Sequence, residues 1–294
     1  MKKLLFILML AISVPASAKL RVVTTYPYIA DITRHLAGPA ATVEALAPAA
    51  WDPHFVVPRP SLIASVRNAD LLIMNGAELE IGWLPPVIRD AKNSLVQPGR
   101  EGLLDLSQYI TKIEINDSVS RSGGDVHPSG NPHFALDPYN VPIMADAITE
   151  RLCLIDRANA VAYRASCAAY KAAWQKNLVR WQAAMAPAKG KKVIQYHRLY
   201  NYFLLRYGLT AAAEIEPLPG IPPTSTHMRK LMDLAKSEKV SLIMTDVYHS
   251  QDPARMLSEK TGVPFIVVPH DTGSLNGSAT MEELFDTIVR SIGR

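Results

Sequence analysis

Short apolar runs alternate with stretches of helical periodicity, and the alternation occurs twice along the chain. Leu20-Arg21-Val22-Val23-Thr24-Thr25 is short and β-branched, the composition of a strand. Tyr28 to Ala37 follows with helical spacing and stops at Gly38-Pro39. Thr42 to Leu46 reads as a second strand, Ser61 to Asn68 as a helix, and Asp70 to Asn75 as an apolar strand closed by Gly76. Strands that alternate with helices predict a parallel sheet with both faces covered. After Gln108 the period fades, and Asn116 to Asn131, rich in Ser, Gly, Asp and Pro, reads as a loop.

Val141 to Ile155 is helical, and Asp156 to Ala186 is a long Ala-rich helical stretch ended by Pro187 and Gly190. Trp174 and Trp181, seven residues apart, share one face of it, a spacing that predicts burial in a core. The alternation then restarts. Strands are predicted at Lys192–Tyr196, Leu209–Ile215, Ser241–Met244 and Phe265–Val268, and helices at Tyr200–Tyr207, Thr226–Ser237, Pro253–Thr261 and Met281–Ile292. The pattern therefore predicts an α/β fold of two lobes, each a mainly parallel sheet flanked by helices, joined by one long rigid helix. The expected divisions are a leader over 1–18, an N-terminal lobe over 19–155, a linking helix over 156–186 and a C-terminal lobe over 187–294.

The leader follows from Lys2 and Lys3, an apolar core from Leu4 to Val14 too short to span a bilayer, and the small residues Ala16-Ser17-Ala18. Cleavage is expected between Ala18 and Lys19. A lipid-anchored product would need Cys where Lys19 stands, so a free periplasmic chain is predicted. The formal charge of +4 falls to +2 without Lys2 and Lys3, and no basic stripe occurs, which excludes nucleic acid as a partner. Only two cysteines are present, Cys153 and Cys167, and an oxidising compartment makes a disulfide between them the default expectation. One straight helix would hold them roughly 21 Å apart, so the pair needs a chain reversal, for which Asp156 to Asn159 is the candidate.

The candidate chemistry is spread along the chain. His54 and His133 lie in Pro-containing loops, Asp52-Pro53-His54 and Asn131-Pro132-His133, where the proline restricts the backbone. His197 and Asp271 follow the apolar runs Val193-Ile194-Gln195-Tyr196 and Phe265-Ile266-Val267-Val268, at the strand ends beyond which open α/β sheets bind ligands. Three imidazoles and one carboxylate make a four-coordinate donor set suited to Zn²⁺. His270 competes with Asp271, and strand alternation would let only one of them face the cleft. His249 with Asp246 is a second competing pair; His35 and His227 read as surface residues. Asp52, Asp137 and Asp246 are candidates to accept the second ring N–H of a ligand imidazole.

In the order of its motifs the chain resembles the ZnuA/TroA type of periplasmic solute-binding protein, which serves zinc and manganese ABC importers. The resemblance rests on Thr24-Thr25-Tyr26-Pro27, Asp52-Pro53-His54, Asn131-Pro132-His133-Phe134-Ala135-Leu136-Asp137-Pro138, Glu216-Pro217-Leu218-Pro219-Gly220 and Pro269-His270-Asp271-Thr272-Gly273, and covers the chain after the leader. It implies His54, His133, His197 and Asp271 as metal ligands between two lobes, with only modest closure about the long helix. It also implies delivery to an inner-membrane permease whose ATPase drives import; a periplasmic metallochaperone is a second candidate partner, and the chain is expected to be a monomer. His rather than Glu at 197 marks the zinc type, and imidazole suits Zn²⁺ where Mn²⁺, the alternative cargo, prefers oxygen. Many zinc-type members carry a long His- and acid-rich loop before the second ligand. Here that loop is short, with Asp117, Asp125 and His127 as accessory candidates. The competing class is a zinc hydrolase, for which Glu78, Glu80 and Glu216 are available carboxylates. The sequence contains neither a nucleophile elbow nor His-Glu-x-x-His.

Overall fold

The computed structural model describes residues 19–115 and 127–293. The predicted leader, Asp117 and Asp125 lie outside the described residues. The first lobe runs β1 (Leu20–Thr24), α1 (Pro27–Ala37), β2 (Ala41–Ala45), α2 (Pro60–Arg67), β3 (Leu71–Met74), α3 (Leu84–Ala91) and β4 (Leu103–Asp105), followed by α4 (Val141–Ile155). Its strands form one sheet in the order β2-β1-β3-β4, every pair parallel. α3 and β4 are additions to the elements that the apolar pattern predicts. Pro85-Pro86 occupy the first turn of α3, where a missing N–H costs nothing, and β4 is only three residues long.

After α5 (Ala160–Met185) the topology repeats. β5 (Lys192–Gln195), α6 (Asn201–Arg206), β6 (Thr210–Glu214), α7 (Ser225–Ser237), β7 (Leu242–Thr245), α8 (Asp252–Thr261) and β8 (Phe265–Val267) give a second parallel sheet, β6-β5-β7-β8, and α9 (Met281–Ile292) closes the chain. In each sheet the strand order reverses direction at the first strand, which opens a crevice at the carboxyl ends of the strands.

The chain reverses between α4 and α5 through a short 3-10 turn at Arg157–Asn159, held by Asp156, whose carboxylate accepts hydrogen bonds from Asn159 and Tyr163. The reversal occurs where a disulfide would need it, yet Cys153 and Cys167 are two separate buried thiols. Cys153 Sγ donates to the Ala160 carbonyl and Cys167 Sγ to Asp146 Oδ1, each at 3.5 Å, so the two sulfurs are turned to different partners. The expected disulfide is thus absent from the fold.

α5, about 39 Å long at 1.5 Å per residue, is a packed strut rather than an exposed spacer. It lies against α1, α4 and α9. Tyr163, Cys167, Trp174, Leu178, Trp181 and Met185 recur every three, four or seven residues and bury one stripe of the helix. Trp174 and Trp181 meet edge to face at 5.1 Å, both rings contact Phe285 of α9, and the Trp181 indole N–H donates to Asp286 at 2.6 Å. One continuous apolar cluster takes in β1, α1, α4, α5, α6 and α9, and so crosses from lobe to lobe; a smaller one, including Ile194, Ile215, Leu231 and Leu257, fills the second lobe alone. Trp181, only 1% exposed, is therefore a strut residue. Trp181→Ala is expected to lower unfolding free energy by about 3–5 kcal/mol, read from the urea midpoint, whereas Asp286→Ala should cost about 1 kcal/mol.

Candidate metal centre

His54, His133 and His197 come together although they are far apart in sequence. Their ligand atoms all lie within 4.8 Å of one another and all three residues are buried. Each is held by a different local device. The Pro53 carbonyl accepts both the Tyr26 hydroxyl at 2.9 Å and the Trp83 indole N–H at 3.3 Å, which fixes the loop carrying His54. Asp52 Oδ1 then accepts the His54 backbone N–H at 2.9 Å and pairs with ring Nδ1 at 2.8 Å, which leaves Nε2 to face the centre.

The His133 loop is tied to both lobes. Asn131 Oδ1 accepts the His133 N–H, the Asn131 amide donates to the Arg198 carbonyl, and the Tyr202 hydroxyl donates to the Asn131 carbonyl. Asn75 adds a bond from its amide to the Pro132 carbonyl and accepts the Tyr28 hydroxyl at 2.6 Å. Asn75 itself sits where the backbone turns sharply: Gly76, Ala77 and Glu78 all have positive φ, at 81°, 50° and 67°. That turn folds Glu80 back under the strand end, where its carboxylate accepts Asn75 N, Gly76 N and the Thr25 hydroxyl. Burial pushes the Glu80 carboxyl up to about 7 despite those bonds.

His197 stands two residues past the end of β5, and its Nδ1 is paired with Glu216 Oε1. Strand register explains the pairing. Gln195 is opposite Glu214 in β6 and Met244 in β7, so two residues further His197 falls between Glu216 and Asp246. Asp246 instead holds His249, by ring Nδ1 at 2.7 Å and by the backbone N–H. Asp137 lies elsewhere and pairs with Arg206 at 2.7 Å. Of the three carboxylates expected behind the imidazoles, then, only Asp52 is there. Glu216 takes the place at His197, and the signal for it was its position at the end of the strand neighbouring β5.

Asp271 lines a narrow cavity of about 30 Å³ together with His133, Tyr28 and Asn75. Its Oδ1 accepts Tyr28 N at 2.7 Å and Thr272 N at 2.6 Å. It is not among the three residues whose donors lie within 4.8 Å of each other. His270 borders the same cavity, with Nε2 3.2 Å from the Trp51 carbonyl oxygen. Strict alternation fails there because β8 ends at Val267 and the segment 270–271 is a turn. His127, read as part of an accessory loop, is beside the centre: its Nε2 is 3.2 Å from His54 Nε2, as His133 Nε2 is from His197 Nε2. Two nitrogens bound to one tetrahedral ion at about 2.05 Å stand about 3.3 Å apart. Both pairs are close to that spacing.

The protonation pattern is unequal. Burial, with the neighbouring imidazoles, holds His133 well below the usual histidine range, so it stays an unprotonated donor. Burial also opposes protonation of His197, but the Glu216 carboxylate outweighs it and raises the group. Burial raises the Asp271 carboxyl to about 8, against the hydrogen bonds from Thr272 and Tyr28.

Two α/β lobes packed on one long helix, with imidazoles from both lobes meeting in the crevice, define a solute-binding protein of the helix-bridged, metal-binding class. Residues 22–292 match the family model for ZnuA, the zinc-uptake complex component A periplasmic, and the chain belongs to that family. It is the metal-binding, extracytoplasmic substrate-binding component of an ABC importer, a system completed by a membrane permease and an ATPase. Among curated relatives it is 25% identical over 279 residues to the metal ABC transporter substrate-binding lipoprotein SloC of Streptococcus mutans, covering 90% of this chain and 88% of that one. It is also 25% identical to the manganese ABC transporter substrate-binding lipoprotein PsaA of Streptococcus pneumoniae, over 85% of this chain and 79% of the relative. The zinc-binding lipoprotein AdcA of the same species is 25% identical over 84% of this chain and 49% of its own length. A crystal structure of ZnuA superposes with TM-score 0.80 at 21% identity, covering 94% of this chain and 98% of the other. A Mn-bound periplasmic metal-binding protein from candidatus Liberibacter asiaticus gives 0.76 at 20%, covering 93% and 100%.

A carboxyl group with a pKa of about 8 holds its proton at pH 7, and a cation that binds there must displace it. Zinc titration calorimetry at pH 7, in buffers of different ionisation enthalpy, should show about one more proton released by the wild type than by Asp271→Asn. Affinity of the wild type should fall as pH is lowered through 8 towards 7, and the variant should be flatter over that window. Equal proton yields would show that Asp271 is not the group displaced.

Proposed function

We propose that the protein captures Zn²⁺ between its lobes and delivers it to the importer's permease, with His54, His133, His197 and Asp271 as ligands. The observation that carries this reading is the set of three buried imidazoles with donors within 4.8 Å of one another. Imidazole is a good donor to Zn²⁺, whereas Mn²⁺ favours oxygen. Manganese is the alternative cargo, and the manganese-transport relative PsaA supports keeping it in the test. The proposed lobes are 19–155 and 187–294, with 156–186 between them.

A second reading of the fourth position is favoured by one distance. His127 Nε2 approaches His54 Nε2 as closely as His133 approaches His197, so His127 is a rival to Asp271. Either donor would close the coordination sphere that a catalytic zinc leaves open to water, which supports capture over hydrolysis. The free periplasmic form is proposed on Lys19 at the predicted cleavage point. Several relatives are named lipoproteins, but the cysteines of this sequence are Cys153 and Cys167, within α4 and α5. We also propose that the chain acts as a monomer.

The test is competition of zinc against manganese on chelator-stripped protein. One tight zinc site is expected, with His133→Ala weakening it about a hundredfold or more, roughly 2.7 kcal/mol. At a thousandfold excess over Kd, zinc should add about 4 kcal/mol to unfolding free energy. A tenfold or greater loss in Asp271→Ala, with His127→Ala near wild type, assigns the fourth position to Asp271; the reverse assigns it to His127. A preference for manganese, or no stoichiometric metal, would overturn the zinc assignment.

A further inference from the structure

The three imidazoles of the candidate centre are not aimed in the same way. The rings of His54 and His197 are each backed on Nδ1 by a carboxylate, Asp52 and Glu216. Among the described residues no carboxylate pairs with the His133 ring, whose Nε2 lies 3.2 Å from that of His197. The direction of His133 therefore has to come from its backbone. That backbone is fixed by the Asn131 side chain, whose Oδ1 accepts the His133 N–H at 2.9 Å. Whatever holds Asn131 holds His133.

Much of that hold comes from the second lobe. The Tyr202 hydroxyl, on α6, accepts the Ile113 N–H at 3.2 Å and donates to the Asn131 carbonyl at 2.8 Å, while the Asn131 N–H donates to the Ile113 carbonyl at 2.9 Å. One hydroxyl thus pins both ends of the chain segment between 113 and 131. Gly130 lets those ends approach: a Cβ there, at φ 108°, would stand 2.9 Å from the Ile113 carbonyl oxygen. The Asn131 amide donates to the Arg198 carbonyl at 2.8 Å and to Glu114 Oε2 at 3.1 Å, and Glu114 Oε1 accepts the Asn201 amide. Tyr202 is buried, so its hydroxyl bonds form where water competes little for them.

We propose that Tyr202 is the positioning residue for His133, so that α6 of the second lobe sets where a ligand carried by the first lobe stands. The inference deepens the metal-capture reading and rests on it. Asn75 holds the Pro132 carbonyl from the first lobe, and Tyr202 supplies the opposing tether at Asn131. Donors of a metal site have to be held to within about 0.5 Å, and losing a group that orients a ligand costs about 10- to 100-fold in metal affinity. The loss should fall on dissociation, because an imidazole free to swing leaves the ion sooner while the encounter is unchanged.

Zinc affinity, and the rate at which excess chelator removes the bound ion, are measured on chelator-stripped protein. Tyr202→Phe, which keeps the ring, should weaken zinc about tenfold or more, nearly all of it as faster dissociation. Tyr207→Phe is the matched control, since that hydroxyl is buried with no hydrogen-bond partner among the described residues; it should stay within about twofold of wild type. In a His133→Ala background Tyr202→Phe should cost less than about twofold, because there is no longer a ring to aim. Asn131→Ala breaks the same chain one link nearer the ligand. It should cost at least as much, and adding Tyr202→Phe to it should cost less than about twofold more. The visible bands of the Co²⁺-loaded protein, which report ligand geometry, should shift in Tyr202→Phe and not in Tyr207→Phe. A wild type that binds no zinc would bring down the capture reading, and this role with it. Normal zinc binding by Tyr202→Phe, or the same loss with and without His133, would overturn the positioning role alone.

Discussion

The donors of His54 and His133 belong to one lobe and that of His197 to the other, so the centre exists only while the two sheets stay at a fixed separation. Apolar packing around α5 sets that separation. The Trp174–Trp181–Phe285 contact joins α5 to the C-terminal α9, and α1 and α4 lie on α5 from the first lobe. Packed interiors are stiff and tolerate displacements of tenths of an ångström rather than several ångströms. The nitrogen pair of His133 and His197, 3.2 Å apart across the crevice, is what such stiffness delivers, since imidazoles this close would drift apart on a loose hinge. The frame costs conformational entropy once, at folding, and little of it again when metal binds.

Much of this frame could be read from the sequence, because the information was periodic. The strands were apolar and short, the helices had clear stops, and seven-residue spacing put two tryptophans on one face of α5. α3 and β4 escaped notice for a physical reason: their segment is broken by Pro85-Pro86 and Pro98-Gly99, and tertiary packing completes what local propensity does not. The cysteines show the opposite failure. Compartment chemistry favoured a disulfide, and the reversal it needed is there, yet each thiol turned to an oxygen in its own surroundings.

At the centre, positions were more legible than partners. Strand ends and Pro-containing loops pointed to His54, His133 and His197 as places where side chains could meet. Which carboxylate would stand behind His197 depended on sheet order and register, and those are long-range facts. Once β5 is known to lie between β6 and β7, Glu216 and Asp246 become its neighbours by counting two residues from the last paired positions. His127 was legible only as an accessory candidate of its loop, as nothing local distinguishes a loop histidine in water from one 3.2 Å from His54.

The same register imposes an electrostatic division of labour. His197 and His54 are each backed by a carboxylate, which fixes the tautomer and makes the ring a better donor, and at His197 the Glu216 carboxylate also helps a proton compete for it. His133, deep among other imidazoles and with its protonated form disfavoured by burial, is a donor that competition by protons hardly reaches. Asp271 is buried enough to keep a proton that a divalent cation would expel. An arrangement of this kind combines one donor available at all ordinary pH values with others whose readiness depends on charge balance. Tight retention and eventual surrender of the metal are then not in conflict. Retention comes from the rigid placement of the nitrogens, and release can come from any event that shifts a backing carboxylate or reprotonates a donor it supports.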